Sequence, residues 1–398
     1  MKNESHYATN FIKYWLLDRE VTFLNHGAHG ACPLPVLEAQ RRFQEQMERE
    51  PLRFFMREWE PLLDNARSEL AKFLGIESDD LVFVPNVTTG VNAVLRSLSF
   101  SADDELLTTN QEYNACRNAL NFVANQTGAK VVVANIPFPI ESPQQVIDAV
   151  MERVSPRTKL ALLDHIVSQT GLVFPIQELV QKLADQGVDT LVDGAHAPGI
   201  VPLDLKAIGA TYYAGNCHKW LSSPKGAGFL YVRGDKQCLI HPTVISHGAN
   251  SPRTDKSRFK LEFDWMGTDD FSAYFSVPVA IAFMGSLVDG GWLELMAKNR
   301  VLVLEARKIL SEKLGLSVPC PEEMVGSIAV LQLPDKESES VKKGGLCEIQ
   351  NELWEKYQIE VPIMPWPDAT KRLLRISAQI YNDLSQYEYL ADALSELL

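Results

Sequence analysis

Between about residues 80 and 235, short apolar runs alternate with helical stretches, which leaves little choice of architecture. The runs fall at 81–84, 105–109, 129–136, 160–167, 190–193, 210–214 and 226–232. Stretches 142–155 and 176–187 carry helical patterning between them. Runs of this length, bounded by turn residues, read as buried strands. Strands that alternate with helices predict a mostly parallel sheet covered on both faces. Each run ends in polar residues, and in such sheets ligands bind at the carboxyl ends of the strands.

Two of those ends carry chemistry. The 190–193 run stops at Asp193, before the turn Gly194-Ala195-His196-Ala197-Pro198-Gly199; the next stops before Asn216-Cys217-His218-Lys219-Trp220. A lysine held uncharged in a pocket can form a Schiff base with an aldehyde. A nearby aspartate can keep a pyridine nitrogen protonated, which makes the ring an electron sink. Lys219 and Asp193 would then be the two poles of a pyridoxal phosphate (PLP) site. A surface lysine and a strand-ending aspartate would leave the same local sequence, so the surroundings must decide. Pro85-Asn86-Val87-Thr88-Thr89-Gly90 follows a strand and opens an apolar-periodic helix. Free N–H groups and the helix dipole there suit a phosphate, or Thr88 or Thr89 is a plain N-cap. Tyr113 follows another strand end and either stacks on a planar ligand or packs. His26 and His29 lie in a tight Gly- and Pro-containing loop, 25–33, as active-site groups or as satisfied loop histidines.

With 398 residues, two domains are expected. The net charge of −13 disfavours nucleic-acid and anionic-membrane partners, so any anion site must be local and built from backbone amides. The 6 cysteines are scattered without a C-x-x-C pair, which fits free thiols in a reducing compartment, with no metal site. No run approaches the roughly 18 apolar residues of a membrane span, and the first residues lack a continuous apolar core. The expectation is a soluble, cytoplasmic protein. Residues 241–260 read as a long loop; helices at 276–286, 292–314, 346–357 and 386–397 with strands at 328–333 and 373–377 read as a second domain.

FLNHGAHGACP, NVTTGVNAVL, EYNACRNAL, HIVSQTG, VDGAHAPG, GNCHKWL, MGTDD and LLRISAQIYND follow one another along nearly the whole chain. In that order they resemble the class V aminotransferase superfamily of PLP enzymes, fold type I, and within it isopenicillin N epimerase-like proteins. The resemblance implies three parts: an N-terminal arm, 1–24, packing on the small domain, a large PLP-binding domain, 25–274, and a smaller α+β domain, 275–398. It also implies roles. Lys219 would carry PLP, Asp193 would pair with the pyridinium nitrogen and Tyr113 would stack on the ring. His196, with Ser168 or Gln169, would sit near the phenolic oxygen. Thr88, Thr89, Asn216 and His218 would hold the phosphate. Thr268 would reach the phosphate of the partner subunit in a homodimer whose sites lie at the subunit interface. Arg375 would bind the carboxylate of a small amino-acid-type substrate, with Asn25, His29 and the Gly27–Gly30 loop nearby.

The related cysteine desulfurases carry a nucleophilic cysteine shortly before the carboxylate-binding arginine. Here that region, 359–367, has none. A persulfide-forming desulfurase is disfavoured. Epimerisation, β-elimination and transamination share a first step at Cα and stay open, with epimerisation leading. A PLP-fold protein without activity is a further alternative, against which Lys219, Asp193 and Arg375 together speak.

Overall fold

The computed structural model describes residues 9–335, 347–368 and 370–398. Its strands are β1 (Thr22–Phe23), β2 (Leu81–Val84), β3 (Glu105–Thr109), β4 (Lys130–Ala134), β5 (Thr158–Asp164), β6 (Asp189–Gly194), β7 (Tyr212–Asn216), β8 (Gly228–Val232), β9 (Ile328–Leu333), β10 (Ile359–Glu360), β11 (Ile363–Pro365) and β12 (Arg372–Ser377). The central sheet has seven strands in the order β2-β8-β7-β6-β5-β3-β4. From β7 through β6, β5 and β3 to β4, all neighbours are parallel. β8 runs antiparallel to both β7 and β2. The reason is local: no helix separates β7 from β8, and a return without a crossover must reverse direction. Apart from the edge strand β4, the strands are largely buried on both faces, as helix-covered strands are.

A second, antiparallel sheet is built from β11, β12 and β9. β11 lies in the proline-interrupted stretch before Arg375, where prolines at 362, 365 and 367 mask the strand pattern. β1 pairs in parallel with β10, so the chain's beginning is tied to its last third. Together these make an α/β molecule with a mostly parallel central sheet flanked by helices and a smaller antiparallel sheet. The expected loop at 241–260 contains the helical turn His247–Asn250 and gives the first residues of the helix Arg258–Asp264. Phe259 and Phe263, buried under the central sheet, hold that helix in place. The expected helix at 346–357 is Glu348–Tyr357; residue 346 lies outside the described residues. Among the described residues, no helix is long and apolar enough to cross a membrane.

Candidate active site

The parallel register places two carboxylates side by side. Asp164 ends β5 directly opposite Asp193 near the end of β6. One strand further, β7 delivers Asn216, His218 and Lys219 to the same edge. A cavity of about 170 Å3 opens there, lined by Ala28, His29, Asn86, Val87, Thr88, Tyr113, Asp164, Ser168, Asp193, Ala195, His196, Asn216, His218 and Lys219.

Lys219 Nζ lies 3.1 Å from His196 Nε2. On the far side of that ring, the Trp220 indole N–H donates to His196 Nδ1 at 3.4 Å. An indole only donates, so the imidazole proton sits on Nε2 and points at Lys219. An amine accepts it once uncharged, and Lys219 loses its proton far more readily than an exposed lysine: burial lowers it to about 8, against the opposing pull of Asp193. Burial, with the charges of Lys219 and Arg375, also holds His196 well below its ordinary range, so it stays neutral.

The lysine's backbone is clamped from the 25–33 loop, which folds into the short helix His26–His29. His26 is buried, and its Nε2 lies 3.1 Å from the Lys219 carbonyl. Its Nδ1 lies 2.8 Å from the Tyr381 hydroxyl, so both ring nitrogens are satisfied and its role is to hold Lys219 in place. Burial pushes this ring down to about 3. Gly30 follows with φ +70°, and a Cβ on it would stand 2.3 Å from the His218 carbonyl oxygen. Only glycine lets the loop approach the lysine segment this closely.

The helix Val87–Ser97 points its N-terminus into the cavity. Its cap is Asn86, and neither Thr88 nor Thr89: the Asn86 side chain accepts from the Thr89 N–H at 3.0 Å. Asn216 Oδ1 takes the Val87 N–H at 3.0 Å, and the Asn86 carbonyl takes that of Gly90. The Thr88 N–H is left without an acceptor among the described residues, beside the Thr88 side chain and His218. That is an anion cradle.

Of the other expected residues, Tyr113 stands directly before the helix Asn114–Thr127, half open to solvent, and lines the cavity. Ser168 lines it too; Gln169 does not, and its buried Oε1 is unpartnered. Arg375, on β12, is buried just behind the lining and donates to the Ser168 carbonyl. Burial lowers its guanidinium to about 10, and it has no carboxylate partner among the described residues. Asn25 lies off the cavity, with its amide donating to Glu360 at 3.3 Å. Thr89 and Thr268 are not among the residues that line this cavity. They line a second cavity of about 340 Å3 with Thr243, Asp264 and Tyr274.

Four contributors were not legible as site residues: Asn86, Asp164, His26 as a clamp, and Cys116, whose thiol donates to Asp193 at 3.1 Å. Asn86 carried a signal, an Asn at a strand–helix junction. Asp164 carried one too, the first acid in an apolar strand.

The class-V aminotransferase family profile matches residues 22–343. The chain belongs to this family. It is 36% identical over 397 residues to an isopenicillin N epimerase of Amycolatopsis lactamdurans, with 96% of each chain covered. It is 31% identical over 406 residues to an Arabidopsis thaliana protein named "Probable L-cysteine desulfhydrase, chloroplastic", covering 96% of this chain and 84% of that one. Among solved structures, it superposes on a variant of C-DES with glycine covalently linked to its PLP cofactor, with a TM-score of 0.80 and 21% identity. That alignment covers 94% of this chain and 96% of the other, and it carries the fold alone.

Proposed function

We propose that this chain is a PLP-dependent enzyme acting at the Cα of an amino acid or amino-acid-containing substrate, with epimerisation as its outcome. The observation that carries the reading is Lys219: an amine lowered to about 8, beside His196 and clamped by His26, in one cavity with Asp193. The cavity fits the cofactor. It offers an amine for the aldehyde, a buried carboxylate for the ring nitrogen, and an unengaged N–H at a helix N-terminus for the phosphate. Asp164 Oδ2 is buried there without a partner, an orphaned acceptor that a ligand group would answer.

When bound, PLP supplies an electron-withdrawing ring that weakens the substrate's Cα–H bond. The protein's part is to hold and move protons. Asp193 would hold the proton of the ring nitrogen, and Tyr113 would cover a ring face. The Lys219 amine, lowered to about 8, would take the Cα proton. Arg375, a buried cation without an anion, orients the substrate carboxylate by its planar fork. The sites form in a homodimer, with Thr268 of one chain completing the phosphate cradle of the other.

Return of a proton to the opposite face of Cα gives epimerisation; loss of a β-substituent gives elimination. The higher identity to the isopenicillin N epimerase favours the first. The match to a named desulfhydrase favours the second. The absence of a cysteine in 359–367 argues against persulfide formation. Chiral chromatography of L-amino acids and L-cysteine-containing peptides, run beside sulfide and pyruvate assays, separates these outcomes. D-configured product without sulfide supports the epimerase; sulfide and pyruvate with no inverted product overturn it in favour of the lyase.

A further inference from the structure

Around Asp193 lies a cluster of which the reaction as described uses Asp193 alone. The carboxylates of Glu112 and Asp193 and the thiol of Cys116 are all buried, and one ligating atom from each lies within 4.8 Å of the other two. Two carboxylates that close, both buried from solvent, resist carrying charge together. Their hydrogen bonds are unequal. Asp193 accepts the Ala195 N–H at 2.9 Å on Oδ1 and the Cys116 thiol at 3.1 Å on Oδ2. Glu112 accepts the Thr108 hydroxyl at 3.3 Å, has the Tyr113 N–H and the Arg117 guanidinium near it, and keeps its Oε1 buried without a partner. Cys116 cannot drift, because it sits in the first turn of the Asn114–Thr127 helix and in one core cluster with Leu106 and Leu120.

We propose that Cys116 is a positioning residue whose thiol proton fixes the Asp193 carboxylate and keeps the cluster's negative charge on it, leaving Glu112 as the protonated member. This rests on Asp193 being the partner of the cofactor's ring nitrogen. Burial and the neighbouring carboxylates hold the thiol far above its ordinary range, so Cys116 remains a donor. Burial and the charge of Asp193 raise Glu112 well above a normal glutamate. The other ionisable groups facing Asp193 are Lys219, Asp164 and Tyr213, and none of them hydrogen-bonds its oxygens among the described residues. The same helix begins immediately after Tyr113, so one element sets both the ring-stacking side chain and the charge behind the ring nitrogen.

The test uses full-length protein stripped of cofactor, as wild type, Cys116→Ala, Cys116→Ser, Cys116→Val and Asp193→Asn. PLP is titrated in, and affinity and the pH profile of the visible absorbance band are recorded. Removing the donor weakens PLP binding roughly tenfold and shifts the band's pH transition in both the Ala and Val variants. The hydroxyl of the Ser variant restores both to within about twofold. Two non-donors of different size keep the test decisive if one of them folds poorly. Wild-type affinity and pH profile in the Ala and Val variants, while Asp193→Asn alters them, overturn the proposal. If Asp193→Asn also leaves both unchanged, the assignment of Asp193 falls, and this inference with it.

Discussion

At the scale of single residues, the site is a set of buried charges and protons placed where water would not leave them. Lys219 shows the cost. Its folded value of about 8 lies below the 10.5 of an exposed lysine, so the protonated amine opposes folding. The sign follows from proton binding: between pH 8 and 10.5 the unfolded chain holds the proton and the folded chain does not, so stability rises with pH across that window. Cofactor-free Lys219→Met should therefore melt a few degrees above wild type at pH 8 and below, with the gap closing by about pH 10.5. A gap independent of pH would place an ordinary surface lysine at 219. Arg375 gives a second case. A buried cation without an anion destabilises the empty site, so Arg375→Met should raise the melting temperature of the cofactor-free protein. The same change should raise KM for a carboxylate substrate roughly ten- to a hundredfold. An unchanged KM would remove Arg375 from substrate binding.

Among the elements, the Val87–Ser97 helix and the 25–33 loop do most of the positioning. Asn86 caps the helix and lines the cavity, so Asn86→Ala should cost about 1 kcal/mol of stability. It should also weaken PLP binding, because the freed Thr89 N–H no longer fixes the first turn. Thermal melts and PLP titration of this variant check both, and a loss of stability without a loss of affinity would limit Asn86 to capping. The strands could be located in the sequence because period and length report burial directly; their order came from the structure. The strand ends carrying Asp193, His196, His218 and Lys219 were readable for the same reason. The cap was not, because Asn86, Thr88 and Thr89 all have capping side chains and only the backbone geometry chooses among them. Asp164 was hidden by its neighbours, in an apolar run whose pattern reads as core, and Cys116 by a polar helix start that gives no sign of what the thiol faces. What turns Asp164 into a site residue is register, against Asp193 across two parallel strands, and for Cys116 it is the contact with Asp193; both are tertiary facts. β11 escaped because prolines suppress the strand signal where an edge strand can still tolerate them.

For the whole molecule, Thr89 and Thr268 pose a question that one chain does not answer, since they share a cavity apart from their own Lys219. The proposed dimer, in which Thr268 would serve the opposite chain, gives that cavity a use. Mixed Lys219→Ala and Thr268→Ala chains should form heterodimers in which one site carries both lesions and the other neither. That intact site should bind PLP with wild-type affinity. If the mixture, with subunit exchange demonstrated, binds no better than Thr268→Ala alone, the shared site does not exist. The central claim, that this fold assembles its strand ends to move a proton at Cα through Lys219, has a more direct test. PLP-loaded protein is incubated in deuterated water with a panel of L- and D-amino acids, and Cα–H is followed by NMR beside the Lys219→Ala variant. The account predicts loss of the Cα–H signal for at least one amino acid, with label appearing in both configurations, and no exchange with the variant. Unexchanged Cα–H across the panel with the cofactor bound, or exchange that survives Lys219→Ala, would contradict it.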